Sequence, residues 1–290
     1  MNAVVYVNGR ISDAVTATVS VFDHGFLYGE GVYETLRTYL GRPFLVDRHM
    51  ERLRNSAALM ALEVPFPNAT LSSVVQETMA AFPGLGEAYI RILLTRGVGE
   101  LTYKPSACPL PTLVVIVKPF PAQPEWTFTD GIRVALVGVR RNHPQALNPM
   151  IKSNNLLNNA LAMQEAYGRS AEEALMQNQA GEIVECAQSN FFVVRGGVVR
   201  TPPLSAGLLP GITRAFVMEL AAQLRLRSEE DTIRPADLAH VEEAFITGTT
   251  REVTPVVAVD TLTIGAGTPG PVTRRLLEAF RARALDLSTP

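Results

Sequence analysis

Three prolines in six residues, Pro119-Phe120-Pro121-Ala122-Gln123-Pro124, limit what this chain can fold into more than any other stretch. Proline fixes φ and has no N–H to donate, which disfavours regular structure along the stretch. It reads as an extended connector. It divides the chain into a small N-terminal α/β domain over 1–118, a linker over 119–125 and a larger domain over 126–290. A length of 290 residues is enough for two such domains. Hydrophobic residues at 47% against 19% charged suit a large core plus an apolar subunit interface.

On the N-terminal side, Val4-Val5-Tyr6-Val7 runs into the turn Asn8-Gly9, and a second strand is expected through Thr16, Thr18, Ser20 and Phe22. With Asp47 as N-cap, a helix is expected to Leu62, keeping Met50, Leu53, Ala57 and Met60 on one face. Tyr89 to Thr95 and Leu113 to Lys118 are β-rich. Beyond the connector, strands are expected at Ile132–Val139, at Ile183–Val194 with Val198-Val199 around the turn Gly196-Gly197, and at Val241–Thr247. Helices are expected from Asn154 to Tyr167, stopped by Gly168, from Pro210-Gly211 to about Leu226, and from Val272 to Leu285. Strands and helices interleave without repeats, which makes the fold class α+β.

A net charge of −2 gives no basic stripe for a phosphate backbone, so nucleic acid is not an expected partner. Neither is a membrane: the longest apolar run, Leu113–Val117, is far too short to span one. The first ten residues lack a signal-peptide pattern, and a cytoplasmic location is expected. Two cysteines, Cys108 and Cys186, with no paired spacing and no histidine cluster, argue against a disulfide scaffold or a metal site.

Of 26 basic residues only three are lysines, Lys104, Lys118 and Lys152. Arginine serves nearly everywhere else, so a retained lysine is a candidate for what guanidinium cannot do, which is lose a proton and attack a carbonyl. Lys104 and Lys118 precede prolines. Lys152 lies in Met150-Ile151-Lys152-Ser153-Asn154-Asn155, where an irregular segment meets the expected helix. A surface lysine in a first helical turn is the competing reading, although a protonated lysine is unfavourable there.

Four further segments bear on it. Leu209-Pro210-Gly211-Ile212-Thr213-Arg214 places glycine and a hydroxyl at a helix start, where free N–H groups make a phosphate cup. Phe245-Ile246-Thr247-Gly248-Thr249-Thr250-Arg251 ends a strand in a small, hydroxyl-rich turn, a second anion-binding loop. Glu185 sits on a strand among small polar residues, and His49-Met50-Glu51-Arg52 puts an arginine on the first helix.

Together these segments resemble the fold-type IV pyridoxal-phosphate enzymes, which include branched-chain and D-amino-acid aminotransferases and aminodeoxychorismate lyase. The resemblance runs from Phe22-Asp23-His24-Gly25 to Gly270-Pro271-Val272-Thr273-Arg274 and agrees in motif order and spacing. It implies a two-domain, D-amino-acid aminotransferase-like architecture, a larger C-terminal cofactor-binding domain, and pyridoxal 5′-phosphate as cofactor. It also implies a homodimer whose sites lie between domains under a loop from the partner. Lys152 would hold the cofactor as a Schiff base and shuttle the proton. Glu185 would bond the pyridine nitrogen. Arg52, Ile212, Thr213 and Thr249, with Gly211 and Gly248 shaping the two loops, would hold the phosphate.

For the substrate, Tyr89-Ile90-Arg91 resembles the Tyr-x-Arg of branched-chain enzymes, and Phe26, Tyr28 and Tyr33 occupy the segment that walls their apolar pocket. Gly248-Thr249-Thr250 would offer amides to the substrate carboxylate. The loop Arg96-Gly97-Val98-Gly99-Glu100-Leu101-Thr102-Tyr103 lacks the Arg-x-His that D-amino-acid enzymes use, while Arg96 itself stays a candidate contact. Leu156, where many branched-chain enzymes have tyrosine, and Thr35, where glycine is usual, depart from the branched-chain pattern. The resemblance thus favours transamination between an L-branched-chain amino acid and a 2-oxo acid such as 2-oxoglutarate. D-amino-acid or (R)-amine transamination is the rival reading, and the lyase and a catalytically degenerate cofactor-binding protein stand behind it. Gly265-Ala266-Gly267-Thr268-Pro269-Gly270 matches a dinucleotide fingerprint in letters, but twenty residues beyond it cannot supply the rest of the unit, so a turn is expected. The scattered His24, His49, His143 and His240 are expected to be structural.

Overall fold

A computed structural model describes residues 2–289 and divides into two compact units. The first comprises the chain up to Pro121, Ile151–Asn155 and the chain from Leu285; the second comprises Ala122–Met150 and Leu156–Ala284. The first break between the units falls within the proline-rich stretch, after Pro121, and five residues around Lys152 and the C-terminal end belong to the first unit. A boundary read along the sequence cannot capture such an excursion.

The first unit holds strands β1 (Val4–Val7), β2 (Arg10–Asp13), β3 (Gly31–Tyr39), β4 (Arg42–Pro43), β5 (Ala88–Thr95) and β6 (Thr112–Pro119). Its helices are α1 (His24–Tyr28), α2 (Val46–Leu59) and α3 (Asn68–Ala80). The sheet is antiparallel throughout, in the order β2-β1-β6-β5-β3-β4. Asn8 and Gly9 both take positive φ, 43° and 94°, the geometry of the tight hairpin turn that Asn-Gly favours. The strand expected over Thr16–Phe22 is not formed. Asp13 Oδ1 accepts the N–H groups of Val15 at 3.0 Å and Thr16 at 2.8 Å, and this side-chain turn ends β2. The first long helix starts one residue before Asp47, after Leu45 at φ 51°, so Asp47 meets the helix dipole from inside the first turn and is not the cap.

Alternation sets the two faces of this sheet. Val32, Glu34 and Leu36 of β3 and Ile90, Ile92 and Leu94 of β5 are buried in a core with Met50, Leu53 and Ala57 of α2 and Val74 and Val75 of α3. Tyr33, Thr35 and Arg37 turn the other way. Thr35 pairs with Arg91 and Arg37 with Tyr89, so Tyr33, Thr35, Tyr89 and Arg91 share one half-buried face.

The helix expected from Asn154 begins only at Leu157, because the preceding backbone is taken up along the edge of β3. Tyr33 N–H donates to the Lys152 carbonyl and Asn154 N–H to that of Gly31, both at 2.9 Å, and Val32 bridges Ser153. Lys152 therefore lies in an extended segment rather than in a first helical turn. Gly31 permits the approach, since a Cβ there would come within 2.5 Å of Asn154 Nδ2.

The second unit carries β7 (Ile132–Leu136), β8 (Glu173–Gln177), β9 (Ile183–Cys186), β10 (Asn190–Arg195), β11 (Val198–Thr201), β12 (Ser228–Glu230), β13 (Glu243–Gly248), β14 (Glu252–Val259) and β15 (Leu262–Thr263). Its helices are α4 (Trp126–Thr129), α5 (Leu157–Gly168), α6 (Ile212–Gln223) and most of α7 (Pro271–Ser288). The mixed sheet runs β12-β11-β10-β13-β14-β7-β8-β9, with β15 on β14. Val134, Leu175, Phe191 and Ile246 fill one core, and Ala135, Val137, Met163, Ala174 and Met176 a second. Burial on both faces makes β8 continuously buried, which is why it lacks the period-two signal of a half-exposed strand. The glycine-rich Gly265–Gly270 is a turn, with positive φ at Gly265 and Gly267.

Gly31→Ala should push the Lys152 segment off the edge of β3. Hydrogen–deuterium exchange should show faster exchange at Tyr33 and Asn154, with β13 and β14 unchanged.

Candidate active site

In the first unit, α2 turns one polar stripe toward β3. His49, Arg52 and Ser56 stand three and four residues apart, which places them on one helix face. Arg52 Nε and Nη2 donate to Glu34 Oε1 and Oε2, each at 2.7 Å, and His49 Nδ1 lies 2.6 Å from Glu34 Oε2. One turn on, the Ser56 hydroxyl oxygen accepts the Lys152 N–H at 3.1 Å. Burial alone would raise the fully enclosed Glu34 carboxyl. The charges and hydrogen bonds of Arg52 and His49 outweigh it and hold that carboxyl at about 2. Burial lowers the His49 imidazole despite the pull of Glu34, so His49 is chiefly a neutral donor to the carboxylate.

Because the Lys152 segment runs along a strand edge, its backbone meets α2 while its side chain reaches the other face. Lys152 Nζ lies 4.5 Å from the centroid of the Tyr33 ring, and Arg91 Cζ lies 4.1 Å from the same centroid. Arg91 Nε is buried without a hydrogen-bond partner among the described residues. Three residues read from sequence, Lys152, Tyr33 and Arg91, are thus brought together, with Thr35 opposite Arg91. Tyr89 lies on the same face under the Lys118 ammonium, at 4.9 Å. Tyr28 instead packs its ring on His24 and Tyr103.

Arg96 is engaged elsewhere than the Tyr33–Arg91 face. Its guanidinium donates to the Met60 and Ala61 carbonyls just beyond α2, at 3.0 and 3.2 Å, and its Nε lies 3.2 Å from Glu30 Oε2. Arg96 is thus a buried cation closing the end of α2. His24 faces Glu30 through Nδ1 at 3.1 Å and the Glu100 carbonyl through Nε2 at 2.9 Å, so it pins the loop after β5.

In the second unit, the Glu185 carboxylate on β9 receives Arg141 Nε at 2.7 Å, the Leu209 N–H at 3.1 Å and Asn190 Nδ2 at 3.3 Å. Asn190 Nδ2 also donates to the Leu209 carbonyl, tying β10 to the approach to α6. Gly211 caps α6 without a side-chain bond, and a Cβ there would meet Asn190 Oδ1 at 1.9 Å. Only glycine lets the helix start this close. The first-turn N–H groups at Ile212 and Thr213 face outward along the axis, as an anion requires. The turn Gly248–Arg251 is closed by Arg251 N–H on the Gly248 carbonyl, which leaves the Thr249 and Thr250 amides outside that bond. Nearby, the buried Thr247 hydroxyl has no hydrogen-bond partner among the described residues.

Sequence reasoning missed Glu34, Ser56, Arg141 and Asn190. The spacing His-x-x-Arg-x-x-x-Ser on a helix, opposite a strand whose inward position is a glutamate, was the available signal for the first two. Arg141 carried none, because its partner is 44 residues away.

A lysine amine, a carboxylate braced by an arginine and a helix start without a side-chain cap are the groups that pyridoxal 5′-phosphate needs for its aldehyde, ring nitrogen and phosphate. Residues 31–259 match the family model Amino-transferase class IV. The chain belongs to the class IV aminotransferases, of fold type IV, and is a pyridoxal-phosphate-dependent transaminase. It is 39% identical, over 96% of its length and 95% of the relative's, to a Methanocaldococcus jannaschii protein provisionally named a branched-chain-amino-acid aminotransferase. It is 34% identical, over 96% of both chains, to a D-alanine aminotransferase of Bacillus licheniformis. The crystal structure of the branched-chain aminotransferase of the thermophilic archaeon Thermoproteus uzoniensis with norvaline superposes with a TM-score of 0.90 at 33% identity, covering 98% of this chain and 95% of that one.

Glu173, at the start of β8, supplies a pH test. Burial pushes its carboxyl up to about 7, against the opposing pull of Arg251 and hydrogen bonds from Ala174 and Ser189. Between its ordinary 4.5 and about 7 the folded chain holds a proton that the unfolded chain releases, so stability falls as pH rises through this window. Glu173→Gln should therefore raise the thermal midpoint more at about pH 8 than at about pH 5.

Proposed function

We propose that the enzyme transfers the amino group of an L-branched-chain amino acid to a 2-oxo acid such as 2-oxoglutarate. The observation that carries this reading is the commitment of Arg96 to Glu30, Met60 and Ala61. The loop after β5 then has its one arginine engaged and lacks the Arg-x-His pair that traps the carboxylate of a D-amino acid. The Gly248–Thr250 turn is left as the carboxylate site, through the Thr249 and Thr250 amides. Tyr33 and Tyr89, with Tyr28 nearby in sequence to Tyr33, supply apolar walls for an aliphatic side chain. Arg91, with its unpartnered Nε, suits the second carboxylate of a five-carbon oxo diacid.

The cofactor assignments belong to the same proposal. Bound, pyridoxal 5′-phosphate supplies a ring that withdraws the electrons left at the substrate Cα. Lys152 would anchor it and, once displaced, its Nζ would carry a proton between the substrate Cα and the cofactor C4′, from Cα to C4′ with the amino donor and from C4′ to Cα with the 2-oxo acid. The backbone bonds of Lys152 to Tyr33 and Ser56 fix where that amine starts. Glu185, braced by Arg141, holds a proton at the ring nitrogen. Arg52 and the amides of Ile212 and Thr213 bind the phosphate with Thr249, while Gly211 and Gly248 keep those loops close.

A homodimer in the cytoplasm completes the reading. Phe22, Phe26, Val98, Leu101, Tyr103 and Leu110 are exposed on the first unit, and Gly99 N–H on the Phe22 carbonyl brings the two contributing segments side by side. An apolar patch of this kind is what a second copy would cover. Among the described residues no helix is long and apolar enough to cross a membrane.

Cofactor absorbance after adding L-leucine, D-alanine or (R)-1-phenylethylamine tests the substrate. Fastest conversion to the pyridoxamine form is expected with L-leucine. Preference for D-alanine or the amine would overturn the carboxylate argument, and no conversion with any donor would mean a cofactor binder without turnover. Lys152→Ala should bind cofactor that borohydride cannot fix to the chain. Light scattering should give twice the 31.5 kDa of one chain, and Phe26→Glu should shift the mass toward one chain.

A further inference from the structure

We propose that Glu34 is the positioning residue for Arg52, fixing its guanidinium so that it can take the cofactor phosphate; this rests on the phosphate role given to Arg52 above. Glu34 occupies an inward position of β3 where the alternation calls for an apolar side chain, between Val32 and Leu36. A carboxylate enclosed there is costly, and a buried ion pair seldom repays that cost as stability. What the pair does secure is direction. A guanidinium has five N–H groups in one plane, and Glu34 takes Nε–H and one Nη2–H along a single edge, each bond 2.7 Å long. The orientation of the opposite edge is then determined, as a phosphate contact requires.

His49 supports the carboxylate from behind. Its Nδ1 lies 2.6 Å from the Oε2 that also receives Arg52 Nη2, so Glu34 cannot swing without losing both bonds. All three residues are buried, at 0% exposure for Glu34, 2% for His49 and 9% for Arg52. The same stripe of α2 reaches Ser56 and through it the Lys152 backbone. The Lys152 backbone is held separately, by Ser56 and the edge of β3, so the Glu34 bonds act on the arginine.

Glutamine cannot substitute. Its amide nitrogen would face the N–H groups of Arg52, setting donor against donor in a site closed to water. The decisive comparison is affinity for pyridoxal 5′-phosphate against affinity for pyridoxal, which lacks the phosphate, titrated into protein stripped of cofactor. Glu34→Gln is expected to weaken pyridoxal 5′-phosphate by about 10- to 100-fold, the range for losing a hydrogen bond to a charged group. Pyridoxal affinity should change by no more than about threefold, the few-tenths-of-a-kilocalorie scale of uncoupled sites. Glu34→Asp keeps the charge but shortens the reach, and serves if the glutamine variant does not fold; it should show the same selective loss in weaker form. In an Arg52→Gln background, Glu34→Gln should add nothing further to the loss.

Equal weakening of both ligands would make Glu34 a merely structural residue and overturn the proposal. So would additive losses in the double variant. If Arg52→Gln selectively weakens pyridoxal 5′-phosphate but neither Glu34 variant does, the positioning role fails and the phosphate role of Arg52 stands. If Arg52→Gln leaves the ratio of the two affinities unchanged, the phosphate role fails and the positioning role falls with it.

Discussion

The contact between β3 and α2 is made by apolar packing but registered by one anion. Leu36, Met50, Leu53 and Ile92 would pack with α2 displaced by a turn almost as well, since hydrophobic burial is non-directional. Two arginine bonds and a histidine bond to Glu34 are not so permissive. Each needs its own length and plane, and a shift of one residue breaks all three. From that register follows the place of Ser56, and from Ser56 and the edge of β3 follows the backbone of Lys152. Lys152 is therefore placed mainly through its main chain.

The second unit solves a parallel problem with the charges reversed. There an arginine, Arg141, braces a carboxylate, Glu185, and the carboxylate in turn organises the backbone by accepting the Leu209 N–H. Asn190 links the same carboxylate to the Leu209 carbonyl, and its Oδ1 is the atom that forbids any Cβ at Gly211. One polar node thus sets both the Glu185 carboxylate and the distance of the α6 start from the sheet. Removing Asn190 would disturb two local arrangements that look separate in the sequence.

Periodicity made much of this legible beforehand. The Asn8-Gly9 and Gly196-Gly197 hairpins, the connector, α6 and the apolar face of α2 are local facts, written in turn chemistry and in a 3.6-residue repeat. The failures share a cause, which is that backbone groups were claimed by partners distant in sequence or by a side chain the pattern ignores. Asn154 and Ser153 carry helix-start residue types, yet β3 takes their backbone into an extended bridge. Thr16 to Phe22 alternates like a strand, yet Asp13 turns the chain before pairing can extend. Nothing in the loop around Arg96 says that the end of α2 engages it. Glu185 was legible as a polar residue on a strand, but Arg141 was not, because an ion pair across 44 residues leaves no spacing to read.

Alternation along β3 also separates what must stay fixed from what can vary. Val32, Glu34 and Leu36 point to α2 and hold the register, whereas Tyr33, Thr35 and Arg37 point to the other face with Tyr89 and Arg91. The two sets share a backbone but no side-chain contact surface. A change at Thr35 can therefore reshape what a substrate meets without loosening the Glu34–Arg52 pair, and side chains this far apart in orientation should act additively. Relatives named for branched-chain-amino-acid and for D-alanine transamination both align along nearly the whole of this chain, a breadth such a division permits. Glu34, His49 and Arg52 sit on the constrained face, where any change costs buried hydrogen bonds. On the free face Tyr33 already holds two cations against its ring, which leaves Thr35 as the position at which a side chain can be exchanged with least consequence for the lysine.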